Sequence, residues 1–244
     1  RLDREMRQAG IVRAVVFPGH RRGSYLRANN AVARHAVDWP LIAFARINGP
    51  RDPAGTSVAR LRNLASSRDE HHVSPADVER YGYDDRFQGF KLDPVRDGLP
   101  DEETLRELDD VGLPMLVHVG REFPPAAVEE TLLRWSFPVI VEHFGGYPLD
   151  RDLMEETIDL LSSYGGCYVD TSVVRFRDVL ERAMLEHPDR VLFGSGAPDV
   201  HPNVSVMELL TLDVPEDAMR KTFSKNAVRL FKDASGLNLE AVLY

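Results

Sequence analysis

Two histidines in this sequence stand where neighbouring apolar runs end. His118 lies near the end of the run Pro114-Met-Leu-Val-His-Val-Gly120, and His143 lies in Val139-Ile-Val-Glu-His-Phe-Gly-Gly146, directly after Glu142. A neutral imidazole is a nitrogen ligand for zinc and related divalent ions, and it can also relay a proton near neutral pH. Two such histidines can therefore serve a metal-activated water.

Lys91 and Asp93 end an earlier apolar run in the same way. In a parallel barrel the carboxyl ends of the strands build one face, so polar side chains from separate strands converge there. These residues could instead have structural roles. A histidine at a strand end can form hydrogen bonds with backbone groups, and Lys91 could form an ion pair with Asp93 or Asp170. We expect Asp170 to order the turn through Thr171 and Ser172.

The elements that would position these residues alternate along the chain. Seven short runs rich in Val, Ile and Leu lack strict polar alternation, which is typical of parallel strands covered on both faces. They are Ile11–Phe17, Leu41–Ile47, Gly89–Leu92, Met115–Val119, Val139–Val141, Cys167–Val169 and Val191–Phe193. Charged amphipathic stretches that can form crossover helices separate them, at residues 101–110, 126–135, 150–163 and 176–186.

This alternation predicts an α/β fold, a TIM-like (β/α)8 barrel, with an open doubly wound sheet as the alternative. Residues 2–10 are typical of the end of a helix, so we expect the first strand to be missing from this chain. We expect one domain over residues 1–244. The polar segment 66–87 would be a lid insertion, and the tail 236–244 could dock on the barrel or on a neighbouring subunit of a homo-oligomer.

Composition limits the classes of partner. The net charge of the 244 residues is −9 and the basic residues are scattered, which argues against nucleic acid. Cys167 is the only cysteine, so neither a disulfide framework nor a Cys-rich zinc site is expected, and a reducing cytoplasm fits. The sequence has no apolar run of membrane length and no export signal in its first residues, so we expect no membrane partner.

Several segments together resemble the amidohydrolase-related family of metal-dependent TIM-barrel enzymes. In order along the chain they are Lys91-Leu-Asp-Pro94, Leu116-Val-His-Val-Gly120, Glu142-His-Phe-Gly-Gly146, Tyr168-Val-Asp-Thr-Ser172, Val191-Leu-Phe-Gly-Ser-Gly-Ala-Pro198 and Lys225-Asn-Ala-Val-Arg-Leu-Phe231. The resemblance implies a divalent metal, zinc by expectation, with His118 as a ligand. It implies that His143 binds the metal or faces its water and carries protons, and that Lys91 has a catalytic role.

The sequence departs from that family in two places. The family's His-x-His pair on its first strand would precede Arg1, outside this sequence. The family usually has an aspartate after Phe-Gly-Ser on its eighth strand, but Gly196 stands here. Asp199 is the first candidate to replace that carboxylate, with Glu142 and Asp170 as other nearby carboxylates.

Two further histidines, His20 and His201, follow strand-like runs and could contact a small-molecule substrate. The function we predict is hydrolysis of an amide, a lactone or a related bond by metal-activated water. A metal-dependent decarboxylase of an aromatic or unsaturated acid is the alternative within the family, and a weakened or non-catalytic barrel that binds a ligand or partner is the alternative outside it. A nucleotide fingerprint and a serine-hydrolase elbow are both absent from the sequence.

Overall fold

A computed structural model describes residues 1–231, apart from the side chain of Arg60. Its seven strands form one parallel sheet in which every strand pairs with the next one along the chain. The strands are β1 (Ala14–Val16), β2 (Leu41–Arg46), β3 (Phe87–Leu92), β4 (Met115–Val117), β5 (Val139–Val141), β6 (Cys167–Asp170) and β7 (Val191–Leu192).

Helices connect these strands and cover the outside of the sheet. They are α1 (Leu2–Gln8), α2 (Leu26–Asp38), α3 (Ser57–Ala65), α4 (Pro75–Tyr83), α5 (Pro94–Asp97), α6 (Glu102–Val111), α7 (Pro125–Thr131), α8 (Arg151–Ser163), α9 (Arg177–Glu186), α10 (Pro202–Leu210), α11 (Glu216–Arg220) and α12 (Asn226–Leu230). In residues 1–231 no helix is both long enough and apolar enough to cross a membrane.

The sequential strand order confirms the barrel over the doubly wound alternative. A doubly wound sheet reverses its strand order at a switch point, whereas this sheet runs from β1 to β7 without reversal. All seven predicted strands are present; β1, β2, β4 and β7 are shorter than the apolar runs that predicted them, and β3 and β6 are longer. The fold is therefore α/β and TIM-like.

Strands β2 to β7 bury side chains on both faces, which explains the continuous apolar runs, whereas the three residues of β1 are only partly buried. The larger core lies between the sheet and the helices. A smaller cluster fills the inside of the barrel, where the rings of Phe44 and Phe231 meet edge to face at 5.5 Å. Its other buried members are Ile42, Leu116, Ile140 and Leu192.

The inner face continues past this cluster to the polar mouth of the barrel. Because side chains two apart on a strand share a face, Arg46 follows Phe44, His118 follows Leu116 and Glu142 follows Ile140 on the inside. Arg46 and Lys91 are register partners on β2 and β3. Strand periodicity thus gathers a ring of polar side chains above an apolar barrel interior.

Segment 66–87, predicted as an irregular lid insertion, contains α4 and the start of β3. Pro75 opens the helix, and Ser74 and Asp77 cap it reciprocally through side chain and backbone. The helix buries Val78 and Tyr81 and packs against α6, so it belongs to the wall of the barrel. Residues 66–74 and 84–86 remain as loops, and the tail 236–244 lies outside the described residues.

The close approach of Gly89 to Phe44 generates a stability prediction. A Cβ at Gly89 would lie 2.5 Å from the Phe44 ring, which the barrel interior holds in place. Gly89→Ala should therefore lower the free energy of unfolding by about 1–3 kcal/mol, as measured by urea denaturation. Gly165→Ala is the matched control, since a Cβ there meets nothing within 4 Å. Equal urea midpoints for the two variants would contradict the packing argument.

Candidate metal centre

Three potential ligand atoms converge at the mouth of the barrel. The Nδ1 of His118 lies 3.2 Å from Oε2 of Glu142, and the Nε2 of His143 lies 3.6 Å from the same oxygen. One ligand atom from each residue lies within 4.8 Å of the other two. Two imidazoles and one carboxylate form a donor set that zinc and manganese accept, so the residues fit a divalent ion.

The backbone of His143 is in the left-handed region, with φ 56°, and Phe144 follows with φ 55°. Residues other than glycine rarely adopt this conformation, and it persists where the surroundings hold it. Here the carboxylate of Asp170 accepts a hydrogen bond from the backbone N–H of His143 at 3.0 Å. Asp170 at the end of β6 therefore fixes the turn that carries the second histidine.

Ser172 fixes the imidazole of the same histidine. Its hydroxyl donates to Oδ1 of Asp170 at 2.5 Å, and its oxygen lies 2.8 Å from Nδ1 of His143. Since the hydroxyl proton is used on Asp170, the oxygen accepts the proton of Nδ1, which leaves the lone pair on Nε2. Burial lowers the pKa of His143 although Glu142 and Asp170 oppose it, so the ring is neutral near pH 7 and suited to a metal.

Lys91 pairs with Glu142, and neither of the predicted partners Asp93 and Asp170 takes that place. The ammonium lies 2.5 Å from Oε2, and the lysine side chain is only 4% exposed. Burial opposes ionisation of Glu142, but Lys91 and the hydrogen bond from His118 outweigh burial and hold the pKa of this carboxyl well below its usual range. The carboxylate is therefore ionised and ready to bind a cation. Asp170 orders its turn through Ser172, as expected.

An aromatic ring borders the two imidazoles. The Tyr147 ring lies 4.7 Å from the His118 ring and 5.0 Å from the His143 ring, measured between centroids. Tyr147 is 41% exposed, so part of it faces solvent. It forms an apolar wall at the open side of the candidate metal centre.

The other predicted site residues lie apart from this group. Asp199 is exposed on the loop after β7 and is not part of the metal-binding group found among the described residues. His201 caps α10, where its Nδ1 accepts from the backbone N–H of Asn203 at 3.3 Å. His20 lies at a second polar cluster, with its Nδ1 3.1 Å from Oδ1 of Asp97.

Gly196 has a backbone reason to be glycine. Its φ is +68°, and a Cβ there would lie 3.2 Å from the side chain of Val173. An aspartate at this position would be strained in the present loop. The backbone conformation of this loop therefore favours glycine over aspartate at residue 196.

Sequence reasoning named Glu142 only as a nearby carboxylate and did not assign Ser172 or Tyr147 to the site. Glu142 had a signal, because it lies two residues after the inward-facing Ile140 and so must point into the mouth. The roles of Ser172 and Tyr147 depend on the left-handed turn at His143, which local sequence does not reveal.

A family model described as amidohydrolase matches residues 2–232. The chain belongs to the amidohydrolase family. No curated protein sequence matches it significantly. Membership indicates an enzyme that uses a divalent metal, in agreement with the donor set of His118, Glu142 and His143.

Solved structures share the fold of this amidohydrolase at low identity. An uncharacterized TIM-barrel protein from Bordetella bronchiseptica is 20% identical, with a TM-score of 0.67 over 97% of this chain and 83% of that one. A 5-carboxyvanillate decarboxylase from Novosphingobium aromaticivorans with bound manganese is 19% identical, with a TM-score of 0.63 over 95% and 80%. A dihydroorotase is 17% identical, with a TM-score of 0.56 over 90% and 61%.

The hydroxyl that orients His143 can be tested without touching a ligand. Ser172→Ala should weaken binding of Zn²⁺ or Mn²⁺ by about 10–100-fold, because Nδ1 of His143 loses its acceptor and the ring is no longer fixed. Isothermal titration calorimetry with each ion measures the effect. Ser163→Ala is the control, since that exposed hydroxyl bonds only a carbonyl of its own helix, at Asp159. Unchanged affinity in Ser172→Ala would contradict the orienting role.

Proposed function

We propose that this amidohydrolase is a metal-dependent hydrolase of a small-molecule carbonyl compound, an amide, a lactone or a related ester, with zinc as its ion. The observation that carries the proposal is the convergence of His118 Nδ1 and His143 Nε2 on the Glu142 carboxylate at the barrel mouth. Catalytic groups of TIM barrels lie at this end of the strands.

His118, Glu142 and His143 would hold the ion. When bound, such an ion lowers the pKa of water and polarises a carbonyl group. Ser172 keeps the proton of the neutral His143 ring on Nδ1, so Nε2 would either hold the ion or, where His118 and Glu142 hold it without His143, move a proton. Lys91 acts through Glu142, which it keeps ionised and in place, and is therefore a positioning residue of this site.

Residues 1–231, which the structure describes, offer few proton acceptors for the attacking water. Gly196 has no side chain, Asp199 is exposed and apart, and the depressed pKa of Glu142 makes that carboxylate a weak base. Asp170 has a raised pKa because of burial, but its Oδ1 already accepts from the His143 backbone and from Ser172. We therefore expect slow hydrolysis, with His143 as the best-placed proton carrier.

Decarboxylation of an aromatic acid is the second candidate. The half-exposed ring of Tyr147 beside both imidazoles would pack against an aromatic substrate at the metal centre. This chemistry does not require deprotonation of water, so the absence of a carboxylate at residue 196 weighs less against it. Structures named as 5-carboxyvanillate and 2,6-dihydroxybenzoate decarboxylases share the fold.

Metal dependence separates either enzyme from a non-catalytic barrel. Purified chain should bind about one divalent ion, and its turnover should fall after chelation and return with Zn²⁺ or Mn²⁺. His118→Ala should lose most of the metal and the activity, whereas His71→Ala should retain both because His71 is exposed in the loop 66–74. Metal analysis by mass spectrometry together with turnover measures this. A wild type without bound ion and without turnover would support the ligand-binding alternative.

The substrate panel decides between the two reactions. We expect turnover of lactones or amides, with product formed from solvent water and labelled by H₂¹⁸O. Carbon dioxide release from aromatic acids, with no labelled hydrolysis product, would establish the decarboxylase instead. Tyr147→Ala distinguishes them further, since loss of the aromatic wall should raise KM for aromatic acids at least tenfold and leave small aliphatic lactones nearly unaffected.

A further inference from the structure

A second buried carboxylate lies at the same barrel mouth, outside the candidate metal centre. Oδ1 of Asp97 accepts from the hydroxyl of Tyr25 at 2.7 Å and faces Nδ1 of His20 at 3.1 Å. Its Oδ2 accepts from Nε of Arg46 at 2.9 Å. The Asp97 side chain is only 1% exposed, whereas that of His20 is 36% exposed. The cluster therefore connects a buried anion to an imidazole that solvent reaches.

The hydrogen bonds determine which nitrogen of His20 is free. Arg46 compensates the charge of Asp97, so this carboxylate is ionised and can only accept hydrogen bonds. Burial, followed by the hydrogen bond to Asp97, raises the pKa of Tyr25 to about 12, so its hydroxyl remains a donor. Nδ1 of His20 must then carry a proton toward Asp97, and Nε2 is the nitrogen left to exchange protons.

The cluster is a neighbour of the metal centre. His20 follows β1, at the same end of the barrel as His118 and His143. Lys91, which holds Glu142, has its ammonium 5.3 Å from the ring centroid of Phe17, three residues before His20. Arg46, which holds Asp97, is the register partner of Lys91 and donates to the carbonyl of Pro18. The loop that carries His20 thus contacts Lys91 through Phe17 and Arg46 through Pro18.

Stability gives little reason for His20 to be in this cluster. Asp97 is already paired with Arg46 and Tyr25, and a partly exposed histidine adds little to such a pair. A histidine oriented by a buried carboxylate with its second nitrogen free is the arrangement of a proton-transfer group.

We propose that His20 is a further catalytic residue that donates a proton from Nε2 to the leaving group, with Asp97 and Tyr25 as positioning residues. The proposal rests on the hydrolase function proposed above. It assigns the acid step of hydrolysis to residues on the opposite side of Lys91 from the metal ligands.

The step balances as ordinary acid-assisted hydrolysis. Water adds its oxygen to the carbonyl carbon and loses one proton to solvent. The bond from that carbon to the leaving nitrogen or oxygen breaks, its electron pair goes to the leaving atom, and Nε2 of His20 supplies that atom with a proton. The neutral imidazole then regains a proton from solvent, which its exposed edge reaches.

The charged and titratable groups around His20 define the expected pH effect. Asp97 and Tyr25 face the ring, Arg46 and Asp93 lie behind Asp97, and Arg21 and Arg22 follow His20 on its own loop. Because the doubly protonated form of His20 is the proton donor, kcat/KM should fall toward alkaline pH. His20→Gln should abolish that basic limb, and Tyr25→Phe should shift it by removing a hydrogen bond from Asp97.

The decisive measurement varies the leaving group in metal-loaded protein. Esters of one acid with 4-nitrophenol, phenol and ethanol should show a His20→Gln loss that grows from less than tenfold to about 10²–10⁴-fold, because only poor leaving groups need the proton. His35→Gln, an exposed histidine on α2, is the matched control and should leave all three rates unchanged. Thermal melts and metal analysis should be equal for wild type, His20→Gln and His35→Gln.

The outcomes separate this proposal from the proposed function. An active wild type whose His20→Gln variant loses the same factor on all three esters, or loses nothing, overturns the role of His20 and leaves the hydrolase intact. A metal-loaded wild type that cleaves no ester, amide or lactone overturns both. Imidazole ¹⁵N spectra provide a readout independent of turnover, and a neutral His20 protonated at Nε2 rather than Nδ1 would overturn the assignment.

Discussion

The mouth of this barrel depends on the compensation of one buried carboxylate. Glu142 lies where parallel strands bring an inward-facing side chain out of water, and an isolated charge there would be strongly unfavourable. Lys91 supplies the opposite charge from β3, and His118 adds a hydrogen bond from the end of β4. A divalent ion bound to the same oxygen would share it with Lys91, so the lysine both keeps the ligand ionised and limits how strongly the ligand attracts a metal.

Strand periodicity explains why the fold and part of the site follow from sequence. Strands buried on both faces appear in the sequence as continuous apolar runs, and these runs predict the barrel. Side chains on a strand alternate between its two faces, and this alternation predicts that His118 and Glu142 point inward. The orientation of His143 does not follow from alternation. Its ring faces Glu142 because a left-handed turn is held by Asp170 and Ser172 from the next strand, a long-range contact that no local pattern contains. The helix α4 was missed for a different reason, since polar composition outweighed its capping signal at Ser74.

Gly196 shows how a single residue can be misread as a loss. Compared with the family pattern, glycine at this position removes a carboxylate, and the substitution Gly196→Asp would restore one. The loop at this position has a positive φ, and Val173, against which a side chain would press, also has a positive φ of 63°. The two loops after β6 and β7 are therefore adapted to each other. A carboxylate at residue 196 would require a different backbone path for this loop. The chemistry of this barrel therefore has to use the other polar groups that line its mouth.

Two adjacent cations organise those groups into separate halves. Arg46 and Lys91 are register neighbours on the inner face, and like charges side by side in a barrel would repel each other without separate partners. Lys91 pairs with Glu142 toward β5, and Arg46 pairs with Asp93 and Asp97 at the two ends of α5, which follows β3. Each half therefore has its own buried anion and its own imidazoles, His118 and His143 on one side and His20 on the other. Each cation is therefore compensated within its own half, and the anion that orients His20 has a different counter-ion from the one that pairs with Glu142.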